Sequence, residues 1–232
     1  MSVPKHIGII LDGNRRFAKR LMVKPWKGHE WGAAKLKQFL EWCFDIGVEE
    51  VTAYAFSLQN FNRPKEEFDY LMNIFKTELE NMLAKADEFA KNGTQINVIG
   101  RLHMLPKEVY ELSQKLMDAT KSNKGKRINL AIAYGGREEI VEAIKRIARE
   151  AQEGKIKPQQ IDEGVVSRHL WLNSDPDLVI RTGGEKRTSN FLPWQSTYSE
   201  FIFIDKMWPE FEKTDFLTCL KDYSDRERRF GK

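Results

Sequence analysis

The sequence predicts an α/β fold, a single domain over residues 1–232 with a central, mainly parallel sheet flanked by helices. Three observations predict it. Apolar strand-like runs alternate with segments of helical periodicity along the chain, the order that builds a mostly parallel sheet with helices on both faces. A length of 232 residues suits one α/β domain and buries a core without staples, and neither repeat nor low-complexity linker divides it. Polar and cationic residues recur just after strands, where ligands of open parallel sheets gather.

The elements follow in order. Residues 6–11, HIGIIL, form a strand carrying Ile7, Ile9, Ile10 and Leu11. Residues 29–46 form a helix with Leu36, Phe39, Leu40 and Cys43 on one face. Val51 to Phe56 is a strand ending at Ser57. Residues 65–91 carry an apolar stripe at helical spacing from Phe68 to Phe89 and read as one long helix. Its default role is core, yet Phe68, Met72, Phe75 and Met82 are large and adaptable enough to line an elongated apolar cavity. Ile96 to Ile99 is a strand, and Pro106 opens a helix to about Ala119. Ile128 to Ala133 is a strand, followed by a helix over 137–152. Ile161 to Leu170 is a short helix, Leu178 to Ile180 and Phe201 to Ile204 are short strands, and a charged helix over 213–229 closes the chain.

Composition excludes several classes. Lysine and arginine number 38 against 34 acids, too small an excess to argue for nucleic acid, although local basic pockets for a small anion remain open. No run of about 18 apolar residues offers a membrane span. The first residues, MSVPKHIG, carry no apolar leader. Cys43 and Cys219 make no disulfide framework and four scattered histidines make no zinc pattern, so a cytoplasmic, reducing setting is expected.

Two stretches carry chemistry. In DGNRR, Gly13 permits close approach, a helix starting there would offer free amides to an anion, and Arg15 or Arg16 could grip phosphate oxygens. Asp12 repels phosphate but suits Mg²⁺, which bridges a carboxylate to substrate phosphates. Alone, this stretch reads more simply as an Asp-Gly turn with two solvated arginines. RTGGEKRTSNF at 181–191 offers a second diphosphate clamp, and equally an ordinary basic loop. Neither a Walker loop nor a dinucleotide fingerprint is present. His29, after Gly28, sits where it could donate to a phosphate, although capping or burial is the commoner role. Two diphosphate sites beside a greasy cavity suggest one chemistry: diphosphate leaves, and the rest of the substrate is hydrocarbon.

HIGIILDGNRRFAKR, GHEWGA, YAFSLQNFNRP, AIAYGGREEIV, DLVIRTGGEKRTSNFLPWQSTYSEFIF, WPEF and RERRFG together resemble the cis-prenyltransferases, the undecaprenyl and dehydrodolichyl diphosphate synthase family. The resemblance runs in order from His6 to Gly231. It implies an elongated hydrophobic tunnel, a homodimer and extension of an allylic prenyl diphosphate by isopentenyl diphosphate with each new double bond in cis. Asp12 matches the aspartate that works with Mg²⁺, and Glu200 the glutamate that shares the metal. Gly13, Asn14, Arg15, Arg16 and His29 match the allylic diphosphate site. Arg181, Arg187 and Ser189 match the isopentenyl diphosphate clamp. Ser57, Asn60, Phe61 and Arg63 match a mobile segment that closes over the substrates, with Asn60 and Arg63 nearest the chemistry. Arg229 and Gly231 match a C-terminal element that reaches the partner subunit's site. No nucleic acid is expected, and membrane contact is expected only through the lipid product. A variant that joins prenyl groups in another regiochemistry, or passes them to another acceptor, is the alternative.

Four positions depart from the family pattern. Arg15 and Phe17 stand where many bacterial members have glycine and tryptophan, a variant similar to the archaeal side of the family. Gln59 replaces a common glutamate. Pro25 stands where many members have an arginine, and Lys24, Lys27 or Arg15 is expected to supply the missing charge.

Overall fold

The structure, a computed structural model, describes residues 2–226. Six strands form one sheet: β1 His6–Ile10, β2 Glu50–Ser57, β3 Gln95–Ile99, β4 Arg127–Tyr134, β5 Leu178–Arg181 and β6 Glu200–Phe203. Their spatial order is β3-β4-β2-β1-β5-β6, and every neighbouring pair is parallel. β1 is buried along its whole length, as expected of a strand covered on both faces. Its alternation splits the core. Ile7 and Ile9 join the larger apolar cluster with Phe39, Trp208, Phe211 and Phe216, whereas Ile10 joins the smaller one with Tyr54, Tyr134, Phe191 and Leu192.

The helices are α1 Asn14–Arg20, α2 Gly28–Asp45, α3 Lys65–Ala84, α4 Ala86–Lys91, α5 Lys107–Thr120, α6 Gly136–Gln152, α7 Glu163–His169 and α8 Lys213–Asp225. None is long and apolar enough to cross a membrane.

Two sequence expectations are corrected. The single helix over 65–91 breaks at Lys85, whose φ of −101° and ψ of 17° leave the helical region. No proline or glycine marks the break. Tertiary packing overrides good helix formers there, because α4 turns to pack against α5 and seats Phe89 on the core. The last helix ends at Asp225 rather than 229, with Arg226 in extended backbone.

Register decides where the site lies. Ile10 of β1 pairs with Tyr54 of β2 and Arg181 of β5, so the chain leaves all three strands at the carboxyl end of the sheet. Asp12, Ser57 and Arg181 therefore meet there, although up to 169 positions separate them in sequence. Glu200 opens β6 opposite Leu178, at the amino end of the strands.

Candidate active site: two cationic pockets and a tunnel

The turn after β1 is built around Gly13, whose φ of 108° favours glycine and whose absent Cβ would sit 2.7 Å from the Met207 Cβ. Its amide donates to Asp12 Oδ1 at 2.7 Å, and Asn14 closes the turn by donating to the Leu11 carbonyl at 2.9 Å. α1 starts immediately, and Gly28 of α2 packs so tightly on it that a Cβ would lie 1.9 Å from the Asn14 carbonyl. This close approach brings His29 beside the first turn of α1. Gly13, Asn14, Arg15, Arg16, Lys19, His29 and Arg63 line one pocket with Asp12.

Arg181 ties that pocket to a second one. Only 5% exposed, its guanidinium donates to Asp12 Oδ2 at 2.9 Å and to Ser189 Oγ at 2.8 Å, and also to the Arg187 carbonyl. Ser189 and Asn190 both take left-handed backbone, φ 51° and 66°, a conformation costly outside glycine and common beside functional groups. Arg16 adds a second guanidinium 3.4 Å from Asp12 Oδ1. Asp12 is thus one carboxylate amid a ring of arginines.

The second pocket extends into a cavity of about 1050 Å³, lined at its mouth by Asp12, Arg181, Arg187 and Ser189. The cavity runs between the sheet and the α2–α3 pair, past Leu40, Leu71, Phe75, Leu79 and Ile132, to Lys85, Glu88, Thr94 and Lys126. Thr94 and Lys126 precede β3 and β4, so the cavity runs along the strands from their carboxyl ends to their amino ends. Eight residues of β4 set its length at about 25 Å. Phe75 and Met82 line it, whereas Met72 is buried in the core and Phe68 packs on Phe56 and Phe61.

Ser57, Asn60 and Arg63 line the cavity, and Gln59 joins them. Residues 58–62 form a 3-10 turn capped reciprocally by Ser57 and Asn60, with Asn60 Oδ1 accepting from the Ser57 amide at 3.0 Å. Phe61 does not face either pocket: its ring packs 5.2 Å from Phe56 and 5.5 Å from Phe68.

Glu200 lies at the amino end of β6, the opposite end of the strands from Asp12, and accepts from Arg226 at 2.6 Å. Among the described residues no three His, Cys, Asp or Glu side chains gather to hold a metal. Arg229 and Gly231 lie outside the described residues. Near Pro25, Arg15 and Lys19 line the first pocket, while Lys24 pairs with Glu66 at 2.9 Å and neither Lys24 nor Lys27 reaches either lining.

Sequence reasoning missed Glu67. Although 1% exposed, it accepts from Arg63 at 2.8 Å and lies 3.4 Å from Arg15. Arg63 also lies 3.1 Å from His29 Nε2. The signal was the i, i+4 spacing of Arg63 and Glu67 across a helix start, hidden by the stripe beginning at Phe68. Burial, then Arg63, then Arg15 lower the His29 pKa to about 3, so its ring is neutral at pH 7. Tyr54, stacked on Phe191 and lining the cavity, was also unforeseen; burial pushes its phenol well above the usual range.

A parallel sheet with two arginine-lined pockets at the carboxyl ends of its strands, sharing one carboxylate, and a greasy tunnel beneath defines a transferase for lipid diphosphates. A family model described as putative undecaprenyl diphosphate synthase, a prenyltransferase, matches residues 10–231. A tritrans,polycis-undecaprenyl-diphosphate synthase (geranylgeranyl-diphosphate specific) of Methanopyrus kandleri is 46% identical over 99% of this chain and 85% of its own length. An isoprenyl transferase of Thermus thermophilus is 46% identical over 99% and 89%. Among solved structures, lavandulyl diphosphate synthase from Lavandula x intermedia in complex with dimethylallyl diphosphate superposes with a TM-score of 0.93 at 37% identity, covering 99% of each chain. A probable undecaprenyl diphosphate synthase from Campylobacter jejuni gives 0.82 at 33% identity, covering 100% of each. The chain belongs to this prenyltransferase family, and it is an enzyme of cis-prenyl chain elongation.

Two predictions follow from Glu67 and His29. Glu67→Gln leaves two arginines around an amide and lowers unfolding free energy by about 1–3 kcal/mol, read by urea titration. Because the His29 pKa is depressed on folding, protonation favours the unfolded chain: stability is flat above the unfolded value of 6.5 and falls as pH drops from there toward 3. Burial lowers the His6 pKa too, so His29→Asn reduces that loss without abolishing it, which urea midpoints from pH 8 to 4 measure.

Proposed function

We propose that the chain condenses isopentenyl diphosphate onto an allylic prenyl diphosphate, geranylgeranyl diphosphate by preference, to make a long-chain cis-polyprenyl diphosphate for a lipid carrier. One observation carries the reading: Asp12 belongs to both cationic pockets, and the tunnel leads away from the point where they meet. The starter preference is supported by the geranylgeranyl-specific name of the relative from Methanopyrus kandleri.

In this reading Gly13, Asn14, Arg15, Arg16 and His29 hold the allylic diphosphate, and Arg181, Arg187 and Ser189 hold isopentenyl diphosphate. A carbon–carbon bond forms between the isopentenyl alkene and the allylic carbon, the allylic carbon–oxygen bond breaks, and a proton leaves. Arg15 and Arg16 meet the charge developing on the departing diphosphate, and fixed guanidiniums need little reorganisation to do so. Holding both substrates at one carboxylate supplies orientation. Asp12 already accepts from Arg181, so the departing diphosphate is the better proton acceptor. Neutral His29 serves as donor or acceptor and adds no charge. Asn60 and Arg63 hold the segment over the mouth, with Ser57 and Phe61 as its anchors.

Mg²⁺ fits this donor set. Asp12 offers hard oxygens that are 30% exposed, and one carboxylate completed by substrate phosphates is how Mg²⁺ commonly binds. When bound, it neutralises diphosphate charge as a Lewis acid. Glu200 joins Asp12 only from a second copy of the chain. A homodimer is also supported by Val141 and Ile144, 45% and 55% exposed on α6, and by the open edge of β6. We assign the whole of residues 1–232 to one catalytic domain in the cytoplasm, a setting that suits two free, buried cysteines.

A second reading, with another regiochemistry or acceptor, draws on the likeness to lavandulyl diphosphate synthase. The tunnel favours elongation: it runs from the strand ends at Asp12 and Arg181 past Leu40, Leu71, Phe75 and Leu79 to Thr94 and Lys126, an apolar course with room for a growing tail.

Incubation with labelled isopentenyl diphosphate, Mg²⁺ and C10, C15 and C20 starters tests the proposal by chain-length analysis. Long products are expected, with the C20 starter giving the highest kcat/KM. Asp12→Asn should lower kcat by about 100-fold or more. No incorporation with any starter sinks elongation, and a single condensation or transfer to another acceptor favours the second reading. Arg15→Ala should raise the allylic KM about tenfold with the isopentenyl KM unchanged, while Lys24→Ala leaves both alone.

A further inference from the structure

Between α1 and α2 the chain makes a turn that the site does not use. Leu21, Met22 and Val23 are 44%, 94% and 36% exposed, one after another. Phe17 lies four residues before Leu21 and packs edge-on against Trp31, which is itself 40% exposed. Met22 takes the left-handed position after the helix, φ 58°, with its amide bonded to the Lys19 carbonyl at 3.0 Å. Glycine or asparagine ordinarily fills that position, because a side chain there is strained. A bulky thioether almost wholly in water, in strained backbone, gains nothing from the folded chain.

The surroundings are cationic. The segment RRFAKRLMVKPWK, residues 15–27, contains six lysines and arginines and no acid. Arg15, Arg16, Arg20 and Lys24 pair with acids elsewhere in the fold, and Lys19 and Lys27 have no ion pair among the described residues. Lys24 lies over the Trp26 ring at 5.0 Å, a tryptophan–lysine pairing suited to a headgroup layer.

We infer that the Leu21–Lys24 turn docks the enzyme on an anionic lipid surface, seating Leu21, Met22 and Val23 among the headgroups. The inference rests on the lipid-diphosphate reading above. An exposed apolar turn flanked by Lys19 and Lys27, which have no ion pair among the described residues, matches a bilayer interface, where apolar area and attraction to anionic lipid act together. A folded partner would need a broader complementary face. The turn adjoins the pocket lined by Lys19, so docking would hold the mouth near the bilayer in which a C20 diphosphate partitions.

Flotation with vesicles tests this. The full chain is mixed with phosphatidylcholine vesicles, or with vesicles carrying about a third phosphatidylglycerol. Wild type is expected to float with the anionic vesicles and less at high salt. The Leu21→Ser, Met22→Asp double variant should float about tenfold less, with unchanged elution volume and unchanged turnover of a water-soluble starter without vesicles. Wild type that floats with neither vesicle overturns the inference and leaves a protein as the turn's partner. A double variant that floats as wild type overturns it too. An altered oligomeric state in the variant would make the turn a contact between copies, which also overturns it. Flotation needs no turnover, so a chain that floats through this turn yet condenses no substrate upholds docking and defeats only the catalytic reading.

Discussion

The ion pair between Asp12 and Arg181 is the contact on which the site depends. It joins the residue just beyond β1 to the last residue of β5, at 2.9 Å, with Arg181 almost fully buried. A buried guanidinium without its carboxylate would be costly, so the pair fixes where both pockets sit. Parallel register makes the pair available, because Ile10 and Arg181 are cross-strand neighbours. Shift that register by one residue and Arg181 would face the other side of the sheet. The Ser189 hydroxyl and the Arg187 carbonyl then follow Arg181, and Trp208 follows Asp12 by donating its amide to the Asp12 carbonyl at 2.9 Å.

Much of this was legible in the sequence, for physical reasons. Strands buried on both faces read as continuous apolar runs, and HIGII is one such run. Loops at the ends of those strands announced themselves by charge, since DGNRR and RTGGEKRTS put arginines where a turn alone needs none. What escaped was tertiary. The break at Lys85 follows from α4 packing on α5, which no local residue signals. Glu67 looked like one more acid in a charged first turn, because its burial comes from Arg63 and Arg15 closing over it. The separation of Glu200 from Asp12 was invisible in a motif match, which carries residue identity but not the end of the strands at which a residue falls.

The cavity combines two environments that would conflict if mixed. Its mouth gathers arginines around Asp12, and its middle is lined by leucine, isoleucine and phenylalanine from α2, α3 and the sheet. Hydrocarbon gains about 0.8 kcal/mol for each methylene moved out of water, while diphosphate gains from preorganised donors. A molecule with both parts is oriented by that division alone, head at the strand ends and tail under the sheet.

The burial of Glu67 bears on the enzyme at rest. Arg15 and Arg63 crowd the pocket after β1 with His29, and two guanidiniums so close would repel whenever the pocket lacked an anion. The carboxylate beneath them acts as an internal counterion, present before any substrate arrives. The pocket's positive field therefore imposes little penalty on the empty fold. An incoming diphosphate meets arginines already aligned, not a cluster that must first be assembled.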